Sequence, residues 1–168
     1  MNKDSIKTEI VVKEQRINVL RIDNKEFISL TDLARYANPE EPKIPIYAWM
    51  RNKDVIAYLG LWEQLNNENF KGHEFETFEN QAGKNSFYMS PQKWIKETNA
   101  VGIISKSGNN GGTYARSDIA LEFASWLSTS KNKFSSLPCF NTFLNSFLNR
   151  LVYCTWYFVF SKLNILSL

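Results

Sequence analysis

Two runs near the N-terminus are rich in β-branched and aliphatic residues, which is typical of strands. Residues 9–12 and 17–22 form these runs, and residues 26–28 form a shorter third one. Asp23 and Asn24, between the last two runs, have the composition of a two-residue turn. The pattern therefore predicts paired strands in this part of the chain, with a structural role.

The pattern then changes to helical spacing over residues 29–36. Ser29 is followed three residues later by Asp32, which is the spacing of a capping box with Asp in place of the usual Glu. Apolar positions recur on one side of this segment, and residues 38–39 (Asn-Pro) end it. We predict a short helix.

A second helix is predicted to start near Pro45 and to run to about Leu59, where Gly60 stops it. Residues 40–43 form a short polar link between the two predicted helices. Two helices joined in this way indicate a helix-turn-helix. The second helix would then be the one that enters the major groove of DNA.

The polar side of this second helix carries Arg51, Asn52 and Lys53. Arginine can form two hydrogen bonds with guanine, asparagine can do so with adenine, and lysine neutralises phosphate. These residues are therefore candidates for DNA contact. The alternative is that they are only the solvated face of an amphipathic helix.

Residues 61–70 predict a short helix that frays at residues 66–67. The next segment, residues 71–86, contains three acidic residues, Glu74, Glu76 and Glu79. They could serve as metal ligands or general acids, but the simpler interpretation, which we favour, is a solvated surface loop.

Residues 90–128 predict a helix, a short hairpin and a second helix. Ser90 followed by Pro91 is typical of a helix start, and Gly102 can end that helix in a left-handed conformation. Ser117 can cap the last helix, whose apolar positions recur at helical spacing.

The hairpin between these helices consists of an extended run at residues 103–104, a turn at residues 108–112 that is rich in Gly and Asn, and a second run at residues 113–114. Its tip is expected to expose polar and basic side chains: Lys106, Asn109, Asn110 and Arg116. A winged DNA-binding domain presents its wing in this way. An ordinary solvated hairpin is the alternative.

Several motifs in order resemble the KilA-N domain: FISLTDLARYAN, YAWMRNKDVIAYLGLWEQLNN, NSFYMSPQKWI, GIISKSG, GGTYA and IALEFASW. The resemblance covers about residues 10–128. Members of that family occur in phages, large DNA viruses and bacteria, and their DNA-binding core is related to the fungal APSES domain. The resemblance implies duplex DNA as the partner. It also implies that the segment at residues 71–86 is an insertion lying away from DNA.

On this basis the second helix would place Arg51 and Asn52 on base edges and Lys53 on phosphate. The linker and wing would add phosphate contacts from Lys43, Lys106 and Arg116. Asn109 and Asn110 stand where relatives often carry a basic or aromatic wing tip, so the chain departs from the family pattern there.

Charge restricts how such binding could occur. Residues 1–128 contain 16 Lys and Arg against 17 Asp and Glu, a net charge of −1, whereas residues 129–168 contain 4 against 0. DNA binding by the domain therefore needs a local basic face, because its overall charge supplies no attraction. A hydrophobic content of 43% and a charged content of 22% are typical of a globular domain.

Enzymatic chemistry is not predicted. Residues 82–86 (AGKNS) only partly match a phosphate-binding loop, His73 is the single histidine, and Cys139 and Cys154 have no companion ligands. We therefore expect no catalytic residue, no cofactor and no metal. A carboxylate–metal nuclease is a third and weakest option. The N-terminus has no apolar signal segment, so we expect a cytoplasmic protein with reduced thiols.

The family pattern stops at about Thr129, where a tail of residues 129–168 begins that contains no acidic residue. Its continuous apolar run, residues 151–160, is too short to span a bilayer, which needs about 20 residues. Our hypothesis is that this tail is aberrant, from out-of-frame translation or a truncated gene.

The sequence thus predicts one α+β domain over residues 1–128, with a small β-sheet, a helix-turn-helix and a β-hairpin wing, as in APSES and winged-helix domains. Its predicted function is duplex DNA binding as a phage-type transcriptional regulator or antirepressor. The alternative is a protein-interaction module that docks on a repressor or host factor without touching DNA. No membrane partner is expected, and the oligomeric state is left open.

Overall fold

The computed structural model describes residues 6–12, 15–108 and 111–129, which form five strands and six helices. The strands are β1 (Ile6–Val12), β2 (Gln15–Ile22), β3 (Lys25–Ser29), β4 (Ile103–Lys106) and β5 (Gly112–Arg116). The helices are α1 (Leu30–Ala37), α2 (Lys43–Trp49), α3 (Lys53–Asn66), α4 (Gly72–Gln81), α5 (Pro91–Thr98) and α6 (Ser117–Thr129). The predicted α+β class is confirmed.

All five strands form one antiparallel sheet in the order β1-β2-β3-β5-β4. The predicted turn between β2 and β3 is confirmed, since Asp23 and Asn24 both have positive φ, at 50° and 59°. Strand β5 pairs with β3, with Ala115 opposite Ile28. The hairpin predicted as a wing is therefore continuous with the N-terminal sheet.

Helix α6 lies at the centre of the core and contacts α1, α2, β3 and β5. Phe123 of this helix is fully buried, and its ring packs edge-on against the ring of Trp49, with centroids 5.1 Å apart. The Trp49 indole Nε1–H donates a hydrogen bond to Glu122 at 2.6 Å. The short helices and the sheet are thus assembled around α6.

Two of the three predicted capping residues, Ser29 and Ser90, are confirmed, whereas Ser117 is the first residue of α6. Ser29 Oγ accepts a hydrogen bond from the Asp32 backbone N–H at 3.1 Å, and Ser90 Oγ accepts one from the Lys93 N–H at 3.2 Å. These bonds satisfy N–H groups that the first helical turn leaves without a partner.

The predicted second helix is wrong in its extent, because the chain forms two helices there. Helix α2 ends at Trp49, and α3 begins at Lys53 after the extended residue Asn52. The Asn52 amide donates to the backbone oxygens of Ala48 and Trp49, which stabilises the break. Helix α3 also runs through Gly60, where the prediction ended it.

The loop predicted for residues 71–86 is also wrong over most of its length, since α4 occupies it. Phe75, with 6% exposure, anchors this helix in the core against Phe70 and Trp94. Of its acidic side chains, Glu76 is exposed and those of Glu74 and Glu79 are half-buried. Within the described residues no group of three His, Cys, Asp or Glu is arranged to hold a metal.

A left-handed residue ends α5, but it is Asn99, with φ 56°, and not the predicted Gly102. Gly102 is needed for a different reason: a Cβ there would lie 2.7 Å from side-chain atoms of both Trp62 and Ile119. Its N–H donates to Glu63 Oε1 at 2.7 Å. Close packing and not backbone conformation thus accounts for glycine at this position.

No helix in the part of the chain that the structure describes is long and apolar enough to cross a membrane. The predicted tail, including Cys139 and Cys154, lies outside the described residues apart from Thr129.

Candidate nucleic-acid interface

A concave surface of about 340 Å³ lies between α1, α2, the start of α5 and the β4–β5 hairpin. Three exposed basic side chains line it, namely Arg35 from α1, Lys43 from α2 and Lys106 from β4. No Asp or Glu is among its lining residues. We call this surface the basic groove. It brings positive charge together on a domain whose total charge is close to zero.

A hydrogen-bond network holds Arg35 at the groove. Arg35 Nη1 donates to Asp32 Oδ1 at 2.7 Å, one turn earlier in α1. The other oxygen, Asp32 Oδ2, accepts from the backbone N–H of Asn18 at 3.0 Å and from its side-chain amide at 2.7 Å. Strand β2 therefore fixes the carboxylate that in turn orients the guanidinium.

The hairpin is attached to α1 at the groove wall. The Thr113 N–H donates to Thr31 Oγ1 at 2.9 Å. A Cβ on Gly112 would lie only 3.3 Å from the same oxygen. Gly108 has a φ of +106°, which favours glycine because it has no Cβ. The contacts of Thr113 and Gly112 with Thr31 place Lys106, which pairs with Gly112 across the hairpin, near the start of α1.

The first turns of two helices also line the groove. Thr31 lies in the first turn of α1, and Pro91 and Gln92 open α5. The first turn of a helix carries partial positive charge on its backbone N–H groups, which attracts anions. Because Ser29 and Ser90 accept hydrogen bonds from N–H groups of these turns and Pro91 has no N–H, we assign the positive charge of the basic groove to its three side chains.

The predicted reading residues Arg51, Asn52 and Lys53 do not line the basic groove. Arg51 and Lys53 are exposed, but Arg51 Nη2 donates to the backbone oxygen of Asn85 at 3.1 Å. The Asn52 amide is engaged with the end of α2, as described above. The Gly83 N–H also donates to the Arg51 oxygen at 3.2 Å. The segment expected to lie away from DNA therefore contacts one of the predicted readers.

Two tyrosines connect this region to the groove. Tyr47 lines the groove, and its ring contacts that of Tyr88 edge-on, with centroids 5.6 Å apart. Partial burial and the neighbouring Tyr47 raise the pKa of Tyr88. Tyr88 remains 54% exposed and lies three residues after Asn85. Tyr47 therefore places an aromatic ring at the groove, in contact with the exposed Tyr88.

Arg116 was predicted at the hairpin tip, and this placement is wrong. It lies at the base of the hairpin, half-buried, with its guanidinium 5.7 Å from the centre of the Phe27 ring. Its Nε and Nη1 are buried and have no hydrogen-bond partner among the described residues. It lines a second groove of about 780 Å³, which shares only Ser105 with the basic groove.

Lys43 and Lys106 are therefore brought together, while Arg51, Asn52 and Lys53 form a separate group and Arg116 stands apart from both. Asn109 and Asn110 lie outside the described residues. Their predicted role at the wing tip stays a prediction.

A protein-family model described as the KilA-N domain matches residues 10–144. The chain belongs to the KilA-N domain family. The resemblance of the sequence motifs is thereby confirmed, and the match extends past Ser128 to residue 144. KilA-N is generally a family of DNA-binding domains, which supports DNA binding at this general level. Comparison with curated proteins and with solved structures finds no match.

Arg35 and Gln92 are among the groove residues that sequence reasoning missed. Arg35 could have been found, because Thr31 and Arg35 are four residues apart and so share one face of α1. Its partner Asp32 is also within one turn. Gln92 gave no such signal, because an exposed glutamine in a first helical turn is common on any soluble surface.

Proposed function

We propose that this KilA-N domain binds duplex DNA through the basic groove, with Lys43 and Lys106 on backbone phosphates. The observation that carries the proposal is the meeting of three cations from three separate elements, with no carboxylate lining the surface. On a domain with a net charge of −1 over residues 1–128, such a cluster does not arise from overall basicity.

The physical basis is counterion release. Each phosphate that the protein neutralises contributes about −0.9 to the slope of log affinity against log salt concentration. Two lysines in contact with phosphates would therefore give a slope of roughly −2. Weak binding at low salt that is lost at physiological salt is the expected behaviour of a surface of this size.

The test is fluorescence anisotropy of the full chain on a mixed-sequence duplex over about 50 to 200 mM salt, the range in which such contacts change affinity strongly. A Lys43→Gln/Lys106→Gln variant should make the slope less negative by about 2, because two phosphate contacts are lost. An Arg51→Gln/Lys53→Gln variant removes the same charge outside the groove and serves as the matched control.

The two double variants distinguish DNA binding through the basic groove from DNA binding through Arg51 and Lys53. If Arg51 and Lys53 contact the DNA and the groove does not, the second variant flattens the slope and the first leaves it unchanged. That result would refute the proposal. Because both variants keep residues 129–168, any contribution from the basic tail is the same in each.

We further propose that the domain acts by binding and not by catalysis, as a transcriptional regulator of the phage type or an antirepressor acting in the cytoplasm. Support comes from the sequence, which lacks a complete catalytic motif. Incubation of supercoiled DNA with the protein and Mg²⁺ tests this directly. Metal-dependent cutting would establish the nuclease alternative instead.

Docking on a repressor or host protein is a second candidate function, and the second groove favours it. That groove is larger than the basic groove, and Trp62, Ile104 and the exposed Val101 are among its lining residues. Apolar side chains of this kind are common at protein interfaces. Absence of DNA binding even at about 50 mM salt, where phosphate contacts are strongest, would favour this function.

A further inference from the structure

We propose that Arg35 is the specificity-determining residue of the basic groove and recognises a guanine, while Lys43 and Lys106 contact phosphates. This assignment rests on the proposed function. It divides the three cations into one reader of sequence and two residues that position the backbone.

The first argument is that the Arg35 side chain is preorganised. Its Nη1 is fixed on Asp32, whose side chain is only 8% exposed, and Asp32 is held in turn by two hydrogen bonds from Asn18. The Arg35 side chain is itself 55% exposed. Asp32, which holds the guanidinium, is therefore buried, whereas Arg35 is exposed and lines the groove.

The second argument is hydrogen-bond capacity. A guanidinium has five N–H donors in a planar fork, and only the bond from Nη1 to Asp32 engages Arg35 within the described residues. The remaining edge can donate two parallel bonds to O6 and N7 of guanine, the commonest specific contact in the major groove. Recognition of this kind requires a fixed orientation, which Asp32 supplies.

The third argument is the contrast with the lysines. Lys43 and Lys106 are exposed, and neither forms an ion pair or side-chain hydrogen bond within the described residues. An ammonium on a flexible stem acts as a point charge, which suits phosphate. The charge of Arg35 is partly neutralised by Asp32, which weakens its attraction to phosphate but leaves the geometry of its donors intact.

The experiment begins with selection of bound sites from a random duplex pool by the full wild-type chain. We expect one position to require guanine, with the other bases bound about 5-fold to more than 100-fold more weakly. The affinities of the selected duplex and its single-base variants are then measured for Arg35→Lys. This substitution keeps the charge but removes the fork.

For Arg35→Lys we expect the preference for guanine at that position to be lost and the salt slope to stay unchanged. Lys43→Gln is the matched control, and it should make the salt slope less negative by about 0.9 while leaving the base preference intact. Thermal unfolding of each variant shows that the fold is kept, which is expected because both side chains are exposed.

Retention of the guanine preference in Arg35→Lys would overturn the assignment and leave the proposed function standing. A flatter salt slope in Arg35→Gln with the preference intact would do the same, because Arg35 would then be a phosphate contact. Absence of DNA binding, or binding that does not depend on salt, would instead overturn the proposed function, and this assignment with it.

Discussion

The buried carboxylate of Glu63 ties α3 to the start of β4, and we predict that Glu63→Gln destabilises the domain. The side chain has 1% exposure and accepts four hydrogen bonds from three groups. The Val101 N–H bonds both oxygens, at 3.1 and 3.0 Å, the Gly102 N–H bonds one at 2.7 Å, and the Asn67 amide bonds the other at 3.0 Å.

Glutamine has the same size but only one oxygen and no charge. Bonds to a carboxylate are roughly twice as strong as bonds between neutral groups, so the Val101 and Gly102 N–H groups would each lose about 1 kcal/mol. The new NH₂ group would also face Asn67, a further loss of about 1 kcal/mol, and relief from burying a charge would offset part of the sum. We expect the free energy of unfolding to fall by about 2 kcal/mol.

The assay is urea unfolding followed by tryptophan fluorescence. In thermal unfolding, a loss of about 2 kcal/mol in a chain of this length would lower the melting temperature by about 4 to 8 °C. Glu68→Gln is the matched control, because it makes the same change on an exposed carboxylate beyond the end of α3. A loss in Glu63→Gln no larger than that in Glu68→Gln would refute the reasoning.

Two further substitutions test packing and charge. Gly60→Ala should lower the free energy of unfolding by about 1 to 2 kcal/mol, since its Cβ would lie 2.1 Å from the Phe75 ring and a gain of about 1 kcal/mol in helix propensity offsets only part of the strain. Gly72→Ala, with no atom within 4 Å, is the control, and an equal loss there would contradict this. Burial raises the pKa of Glu122 above its ordinary 4.5, and the hydrogen bond from Trp49 lowers it less. The raised pKa adds to the free energy of unfolding fully below pH 4.5, and this contribution is lost as the pH rises through the folded-state pKa. In urea unfolding between about pH 4 and 7, Glu122→Gln should therefore show a smaller fall in the free energy of unfolding than the wild type. An unchanged pH profile would contradict this prediction.

Local signals in the sequence were sufficient for much of the fold. Ser29 and Ser90 were identified as helix caps, and the turn at Asp23 and Asn24 was placed correctly, because each depends on bonds or backbone angles within a few residues. The same holds for the strands and for α6, whose apolar spacing reports the face that it buries.

Long-range packing overrode local propensity at two places. Gly60 was taken as a helix end, but it lies within α3, and glycine is needed there because the Phe75 ring of α4 occupies the space of a Cβ. Phe75 is buried in the core and lies in helix α4, although the polar composition of this segment predicted a loop. Neither contact could be inferred from neighbouring residues in the sequence.

The sequence by itself determined the family, the α+β class, most element starts and the candidacy of Lys43 and Lys106, since these follow from motifs, periodicity and residue type. Only the tertiary structure decided that Arg35 lines the basic groove with those lysines and that Arg116 lines the second groove. It also decided that Arg51 lies in the break between α2 and α3. The physical reason is that a binding surface depends on distances between side chains from separate elements, and the pairing of β5 with β3 and the packing of α1 against the hairpin set those distances.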